Sequence, residues 1–435
     1  MLVVNAHSGA KCRSAKLCGG SLAETFPLVS HSSSTLPELR LRRGEDRRLR
    51  AGHLWVFSNE IDTKATPLTA FEPGAQVRIV TDRDHVLGVG YLNPSTLIAA
   101  RILARDGESR IDRRWIASRL HQALALRDSL YPSPYYRWVF GESDSLPGLV
   151  LDRYGDLVVG QIATLGMECL RAEVEAAIRE VLSPAALLWK NDSGARKLEG
   201  LPDIVEAAWG SVPEEAAVIE HLSDGRALSY AVALAGGQKT GWFFDQTFNR
   251  SLLPRFMTPG ARVLDVCSYA GGWAATAAAC GAREVACVDS SAAALSFAER
   301  NVAANSSLKA VLHRGDAFDV LAALAEAGER YDAVIVDPPA FIKRRKDLPQ
   351  GQAAYRKLNQ LALRVLEPGG LLVSCSCSHH LAAEDLLAAI QGAARHVDRF
   401  VQVLHEGGQS PDHPRHPAIP ETRYLKAFFC RVTRG

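Results

Sequence analysis

The chain has 435 residues, more than one ordinary core can hold, and at roughly 100–200 residues per domain it is expected to form two or three. Hydrophobic residues make up 47% and charged residues 23%, with no apolar run of the ~18 residues a membrane span needs, so the composition is that of a soluble globular protein with no membrane partner. A net charge of +2 excludes binding of nucleic acid by bulk charge, and nine scattered cysteines without a C-x-x-C pair point to reduced thiols in the cytoplasm rather than a disulfide or metal framework.

Residues 1–35 are rich in Ser and small residues and lack hydrophobic periodicity, which predicts a disordered tail. The character changes at Leu36. Six arginines crowd the segment Arg40–Arg50, which leads into Gly52-His53-Leu54-Trp55-Val56-Phe57. Short β-rich runs follow at 76–79, 85–91 and 98–103, so residues 36–108 read as a small β-barrel. In isolation the arginine run is as compatible with a solvated face, but beside His53 and Trp55 it suggests phosphate contacts next to a stacking surface, with Arg42, Arg43 and Arg47 carrying the charge.

Residues 109–235 read as a central α+β domain. It has an apolar-spaced helix over 113–130, a hairpin turning at Tyr154-Gly155-Asp156, a helix near 167–182 and strands at 186–190, 218–220 and 229–232. From residue 236 to the end, strands and helices alternate as in a Rossmann-like α/β domain. Strands are expected at 263–266, 284–288, 333–336 and 371–375, with 400–404 and 424–431 forming an antiparallel hairpin at the sheet edge.

Four segments of that domain carry chemistry. Val263-Leu264-Asp265-Val266 runs into the small-residue turn Ser268-Tyr269-Ala270-Gly271-Gly272, where the backbone can approach a ligand. Asp289, followed by Ser290, ends the next strand at the interval that places a carboxylate on a ribose diol. The chain has neither G-x-G-x-x-G nor a G-K-[ST] phosphate cradle, which favours S-adenosylmethionine (SAM) over a pyrophosphate cofactor. Asp265 and Asp289 can also serve simply as helix caps. The remaining segments are Asp337-Pro338-Pro339-Ala340-Phe341 and Ser374-Cys375-Ser376-Cys377-Ser378, which set a carboxylate and two thiols at the strand ends where α/β ligands bind.

The basic segment with G-H-L-W-V-F, the hairpin Leu146-Pro147-Gly148-Leu149-Val150-Leu151-Asp152, the run Gly237-Gln238-Lys239-Thr240-Gly241 with Asp245-Gln246, and the D-P-P-A-F and S-C-S motifs occur in this order. Together they resemble the large-subunit ribosomal RNA cytosine-C5 methyltransferases of the RlmI type, over residues 36–432. The resemblance implies a PUA-like RNA-binding domain, a central α+β domain, a class I SAM methyltransferase domain, and large-subunit ribosomal RNA as partner. A homodimer is left open. It also implies that Gln238, Lys239, Thr240 and Asp245 lie over the cofactor, with Lys239 near its carboxylate, and that Asp316 and Ala317 meet the adenine. Two departures stand out: Thr247 follows Asp245-Gln246 where the family often has Arg, and Cys375 precedes the expected thiol.

Cytosine carbon-5 is a poor nucleophile until a thiolate adds at carbon-6, and Cys377, just past its strand, is the expected attacker. Cys375 would lie deeper, and both thiols could equally be inert core. Asp337 or its neighbouring carbonyls would hold the cytosine edge, Phe341 would stack on the flipped base, and Lys343 and Arg344, with Arg345 and Lys346, would hold flanking phosphates. Two other readings remain: amino-group methylation of guanine or adenine, which needs no thiol, and a non-catalytic RNA-binding assembly factor.

Overall fold

The computed structural model describes residues 36–234 and 236–435, so the expectation for residues 1–35 lies outside the described residues. The first unit comprises β1 (Glu38–Arg40), β2 (Trp55–Phe57), β3 (Gln76–Val80), β4 (Val86–Leu92) and β5 (Ile98–Ala104), in the order β1-β3-β4-β5-β2. Leu39, Val56, Val77, Ile79 and Ile102 fill its core. A bridge between Leu41 and Ile61 extends the pairing beyond the strands.

The central unit is a five-stranded sheet of β6 (Tyr135–Phe140), β7 (Leu149–Tyr154), β8 (Leu157–Ile162), β9 (Ala186–Asn191) and β10 (Ile204–Trp209), ordered β10-β9-β8-β7-β6. The expected hairpin is β7–β8, and Gly155 supplies its turn with φ +66°. The helix Arg113–Leu130 begins where the Asp112 side chain accepts from the Trp115 N–H at 3.0 Å. The helix expected near 167–182 is in fact two, Leu165–Cys169 and Arg171–Val181. Gly166 lies so close to the Tyr91 ring that an added Cβ would sit 2.0 Å from it, and this close approach anchors the first piece to the barrel.

The strands β11 (Glu215–His221) and β12 (Ala227–Ala233) form a separate hairpin. Their residues Val218, Leu228, Tyr230 and Val232 join a core that holds Tyr154, Val159 and Leu188 of the central sheet as well as Trp242 and Trp273 of the C-terminal unit. Asn301 fastens the hairpin by bonding both backbone groups of Ala231.

The C-terminal sheet contains β13 (Arg262–Val266), β14 (Glu284–Asp289), β15 (Val311–Arg314), β16 (Tyr331–Val336), β17 (Leu366–Ser376), β18 (Arg399–Gly408) and β19 (Lys426–Arg434). Their order is β15-β14-β13-β16-β17-β19-β18. The first five are parallel, and β18–β19 is the expected antiparallel pair, with β19 inserted between β17 and β18. Both faces of the central strands β13, β14, β16 and β17 are covered, so these are largely apolar, and alternation divides them between two cores. Val263, Cys287, Ile335 and Cys375 face one; Leu264, Val288, Val334 and Leu372 face the other, under the helices Leu348–Val365 and Ala383–His396. This parity turns the Cys375 side chain into the first core, and Cys377 lies beyond the strand end at Ser376.

Candidate active site

The carboxyl ends of β13, β14, β16 and β17 open onto one crevice, where strand order reverses about β13. Asp265, 0% exposed, accepts the Ala274 N–H on Oδ2 at 3.0 Å, while Oδ1 is buried with no hydrogen-bond partner among the described residues. Burial pushes its carboxyl up to about 8. The turn after β13 is folded tightly: Cys267, Tyr269 and Gly271 have φ of +64°, +48° and +73°. At Gly271 an added Cβ would lie 2.7 Å from that of Ala298, so this position requires glycine. Ser268 is buried, and its N–H donates to Val288 O at 3.0 Å.

Asp289 accepts from Tyr269 N at 2.9 Å and from Ser291 N at 2.8 Å, bracing the turn and the start of the next helix with lone pairs to spare. Ser290 is exposed beside it. Asp316 is exposed and caps the helix Ala317–Glu326 through the Phe318 N–H at 2.8 Å. Ala317 is half-buried.

The segment 237–241 is clipped onto this turn by Tyr269, whose hydroxyl donates to Gly241 O at 3.0 Å and accepts from Gln238 N at 3.2 Å. Lys239 differs from expectation in its partner. Its Nζ is 2.8 Å from Asp245 Oδ2 and 4.2 Å from the Phe243 ring centre, so the cation is committed to a protein carboxylate. Thr240 is also corrected: its hydroxyl donates to Asp152, itself paired with Arg137 at 2.7 and 2.8 Å, which fixes Thr240 to the central domain. Burial pushes the Asp245 carboxyl up, but Lys239, His413 and the Tyr424 hydroxyl at 2.5 Å outweigh it and hold that carboxyl below the usual range. Its Oδ1 is buried without a hydrogen-bond partner among the described residues.

Asp337 Oδ2 accepts from Gln246 Nε2 at 2.9 Å and Trp273 Nε1 at 3.2 Å, and burial raises its carboxyl to about 6. Cys377 is half-buried with Sγ 3.9 Å from Pro338 O. Burial raises its thiol to about 11; Lys239 and Lys426 pull it down, while Asp337 and Asp245 oppose them. Cys375 is fully buried and its thiol is pushed well up by burial. The two serines flanking Cys377 are structural, since Ser376 and Ser378 both bond the Tyr355 hydroxyl at 2.9 Å.

Phe341 is not a free stacking platform: its ring lies 4.8 Å from Tyr355 and 6.0 Å from Phe318, within an aromatic cluster. Lys343 is half-buried, and Arg344 is exposed but pairs with Asp347 at 3.3 Å. In the barrel, His53 is 6% exposed, accepts Trp55 N at 3.0 Å and is driven down to about 4 by burial, so it cannot stack on a base. Trp55 Nε1 donates to Glu142 Oε1 at 2.9 Å, tying the barrel to the central domain. Arg42 Nε is spent on Ile61 O, whereas Arg43 and Arg47 are exposed without an ion pair among the described residues.

Sequence reading missed Trp273, Tyr424 and Lys426. The last two stand at the start of a strand that was expected, and a lysine opening an otherwise apolar run was their visible signal.

The acceptors left open at Asp245 and Asp265, with the Asp289 carboxylate beyond the turn, suit a ligand that brings an ammonium group and a ribose diol, as SAM does. The fold and crevice thus define a SAM-dependent methyltransferase carrying a small N-terminal β-domain. Profiles of two families agree: the PUA-like domain over residues 39–105 and the S-adenosylmethionine-dependent methyltransferase over residues 207–430. The chain belongs to the family of ribosomal RNA large subunit methyltransferase I. It is 34% identical to that protein of Salmonella arizonae, covering 91% of this chain and 98% of the relative, and 34% identical to that of Klebsiella pneumoniae, covering 92% and 100%. In fold it is similar to a methyltransferase crystal structure complexed with SAH, with TM-score 0.77 at 22% identity over 91% of this chain and 100% of the other. A SAM-dependent methyltransferase from Streptococcus mutans gives TM-score 0.76 at 21% identity over the same shares.

Proposed function

We propose that this chain methylates carbon-5 of a cytosine in large-subunit ribosomal RNA in the cytoplasm, with Cys377 as covalent nucleophile. The observation that carries this reading is the position of Cys377, released past the end of β17 beside Pro338 and the Asp337 carboxyl while Cys375 stays inside the core. Amino-group methylation would give that thiol no task.

SAM supplies an electrophilic methyl group. Asp289 would receive the ribose hydroxyls, and Asp265 and Asp245 would offer acceptors to the ammonium end. Gln238 and Lys239 cover the crevice from above, Lys239 as a fixed positive charge. Asp337, whose carboxyl burial raises to about 6, can accept from the cytosine amino group. The Cys377 thiolate adds at carbon-6, carbon-5 takes the methyl group, and loss of the carbon-5 proton breaks the sulfur–carbon bond. Arg43 and Arg47 contribute phosphate contacts from the barrel, and Arg344 to Lys346 from the loop beside the crevice.

The test is nucleoside analysis of ribosomal RNA treated with the protein and SAM. 5-Methylcytidine is the expected product. N-methylated guanosine or adenosine would replace this reading with amino-group methylation, and SAM binding without turnover would leave an assembly factor.

A further inference from the structure

The connection between β18 and β19, residues 409–425, reaches all three units of the fold. Ile419 is fully buried in the barrel core. Its neighbour Ala418 lies so close to Gly52, two residues past the arginine-rich run, that an added Cβ there would sit 3.4 Å away. Asp412, also fully buried, accepts from Arg137 N at 2.8 Å, and its carbonyl accepts from Arg127 Nη2 at 2.7 Å, both in the central domain. At the crevice the Tyr424 hydroxyl donates to Asp245 Oδ2 at 2.5 Å, and Lys426 Nζ donates to Ser378 O, next to Cys377, at 2.6 Å.

This connection is stiff. Pro411, Pro414, Pro417 and Pro420 fix φ at every third position. Gln409 Nε2 joins its two arms by donating to His413 O at 2.9 Å and Thr422 O at 2.7 Å, and the Thr422 hydroxyl accepts from His416 N at 2.8 Å. Each arm carries one exposed arginine, Arg415 on the way to Ile419 and Arg423 on the way back. The Arg415 side chain makes no hydrogen bond or ion pair among the described residues, and its guanidinium lies against Gly408, the residue paired with Lys426 across the sheet. Arg423 has one partner, Glu406 at 3.7 Å, and both side chains are half exposed, so water weakens the pair.

We propose that Arg415 and Arg423 bind phosphates of the RNA strand as it passes from the barrel to the crevice, so that the β18–β19 connection forms the path between the arginine-rich run and Cys377. Guanidinium groups with free donors on a rigid backbone suit phosphate oxygens, because little side-chain order is lost on binding. Burial and the neighbouring Arg423 both lower the Arg415 ionisation while Glu406 counters them, and a bound phosphate would relieve the repulsion between the two cations. Of the acidic residues nearby, Glu406 is engaged by Arg423 and Glu421 is half-buried.

The proposal rests on the crevice at Cys377 being the place where RNA is methylated. Filter binding of a large-subunit ribosomal RNA transcript is measured between about 50 and 200 mM salt. With Arg415→Gln and Arg423→Gln together, the log–log slope should fall by about 1.4–1.8, and affinity at the lower salt should drop at least about tenfold. SAM affinity and melting temperature should match the wild type. Lysine at both positions should restore most of the slope, since a point charge also serves a phosphate. Lys309→Gln is the control: this exposed cation precedes β15 at the opposite edge of the sheet, and its loss should leave the slope unchanged. If the double variant no longer binds SAM, Arg415→Gln alone decides, with an expected loss of about 0.7–0.9. An unaltered slope, or an equal fall in Lys309→Gln, overturns the proposal. Failure of the cytosine reading would look different, with the slope reduced as expected and a product other than 5-methylcytidine.

Discussion

Gln246 Nε2 donates to Asp337 Oδ2 at 2.9 Å, joining the segment before the Rossmann domain to the Asp-Pro-Pro loop. The same amide accepts from Asn249 Nδ2 at 2.7 Å, and Asn249 in turn donates to Gly408 O at 2.9 Å. The carboxyl orientation beside Cys377 is therefore set by a side chain from another part of the chain, itself held in place from behind.

Replacing Gln246 by Ala removes one donor from Asp337 and leaves a buried Asn249 donor short of a partner, at a cost of about 1–3 kcal/mol. Because the loss falls on orientation of the target base, kcat should drop roughly tenfold while SAM affinity stays within about twofold. Single-turnover methylation and calorimetry separate the two effects. Equal losses in both would mean that Gln246 serves the whole crevice instead.

Asp289→Ala should weaken SAM binding by about 1.5–3 kcal/mol, the range for hydrogen bonds to a charged group. The turn will loosen as well, since the Tyr269 and Ser291 N–H groups lose their acceptor. Thermal melting without SAM measures that structural part, and calorimetry measures affinity. Unchanged affinity would remove Asp289 from the site.

Much of this site was legible because parallel strands buried on both faces leave polar residues conspicuous at their ends. Asp265, Asp289, Asp337 and Cys377 each follow an apolar run and each reaches the crevice edge. Local pattern gave no sign of partners chosen across the fold. Thr240 turns to Asp152, 88 residues away, and Trp55 to Glu142, 87 away, so two groups expected to meet ligands instead hold domains together. Nor does local pattern show that Tyr230 packs 4.8 Å from Trp242, across the border expected at residue 235. His53 reads as polar in sequence, and only its tertiary surroundings bury it.

The raised carboxyl of Asp265 makes stability depend on pH. In the unfolded chain this group ionises near 3.8, while in the fold it stays protonated up to about 8. Its contribution is therefore fully present below about pH 4 and declines as pH rises, by up to about 1.4 kcal/mol per unit, until the folded group ionises. Asp265→Asn removes that ionisation and can keep the Ala274 N–H bond through its amide oxygen. Melting without SAM should match the wild type at pH 4.5 and exceed it at pH 8.5, while SAM affinity falls. A constant difference across this range would contradict the assignment.

Arg43→Glu together with Arg47→Glu should weaken RNA binding and flatten its salt dependence, since each lost phosphate contact removes about 0.7–0.9 from the log–log slope. Both side chains are exposed and make no ion pair among the described residues, so the fold and SAM affinity should not change. Arg42 is a poorer choice because its Nε holds Ile61 O. Filter binding at several salt concentrations reads the slope, and an unaltered slope would make this segment a solvated face.

The last prediction separates the two thiols. On RNA containing 5-fluorocytosine, in the presence of SAM, Cys377 should form a stable adduct, because fluorine cannot leave carbon-5 as a proton does. Cys377→Ala should abolish both adduct and turnover while sparing SAM binding, since the Cys377 thiol lies beside Pro338 O and makes no other hydrogen bond among the described residues. Cys375 is 0% exposed in the core shared by β13, β16 and β17, so its thiolate is disfavoured and base access is blocked. Cys375→Ala should keep most activity and lose stability by the small cavity left behind, roughly 1 kcal/mol. Denaturing gels of the cross-linked complex and initial methylation rates read these outcomes together. Full activity in Cys377→Ala would sink covalent catalysis at this residue, activity lost only in Cys375→Ala would transfer the role to the buried thiol, and activity surviving both substitutions would favour methylation of an amino group held by Asp337.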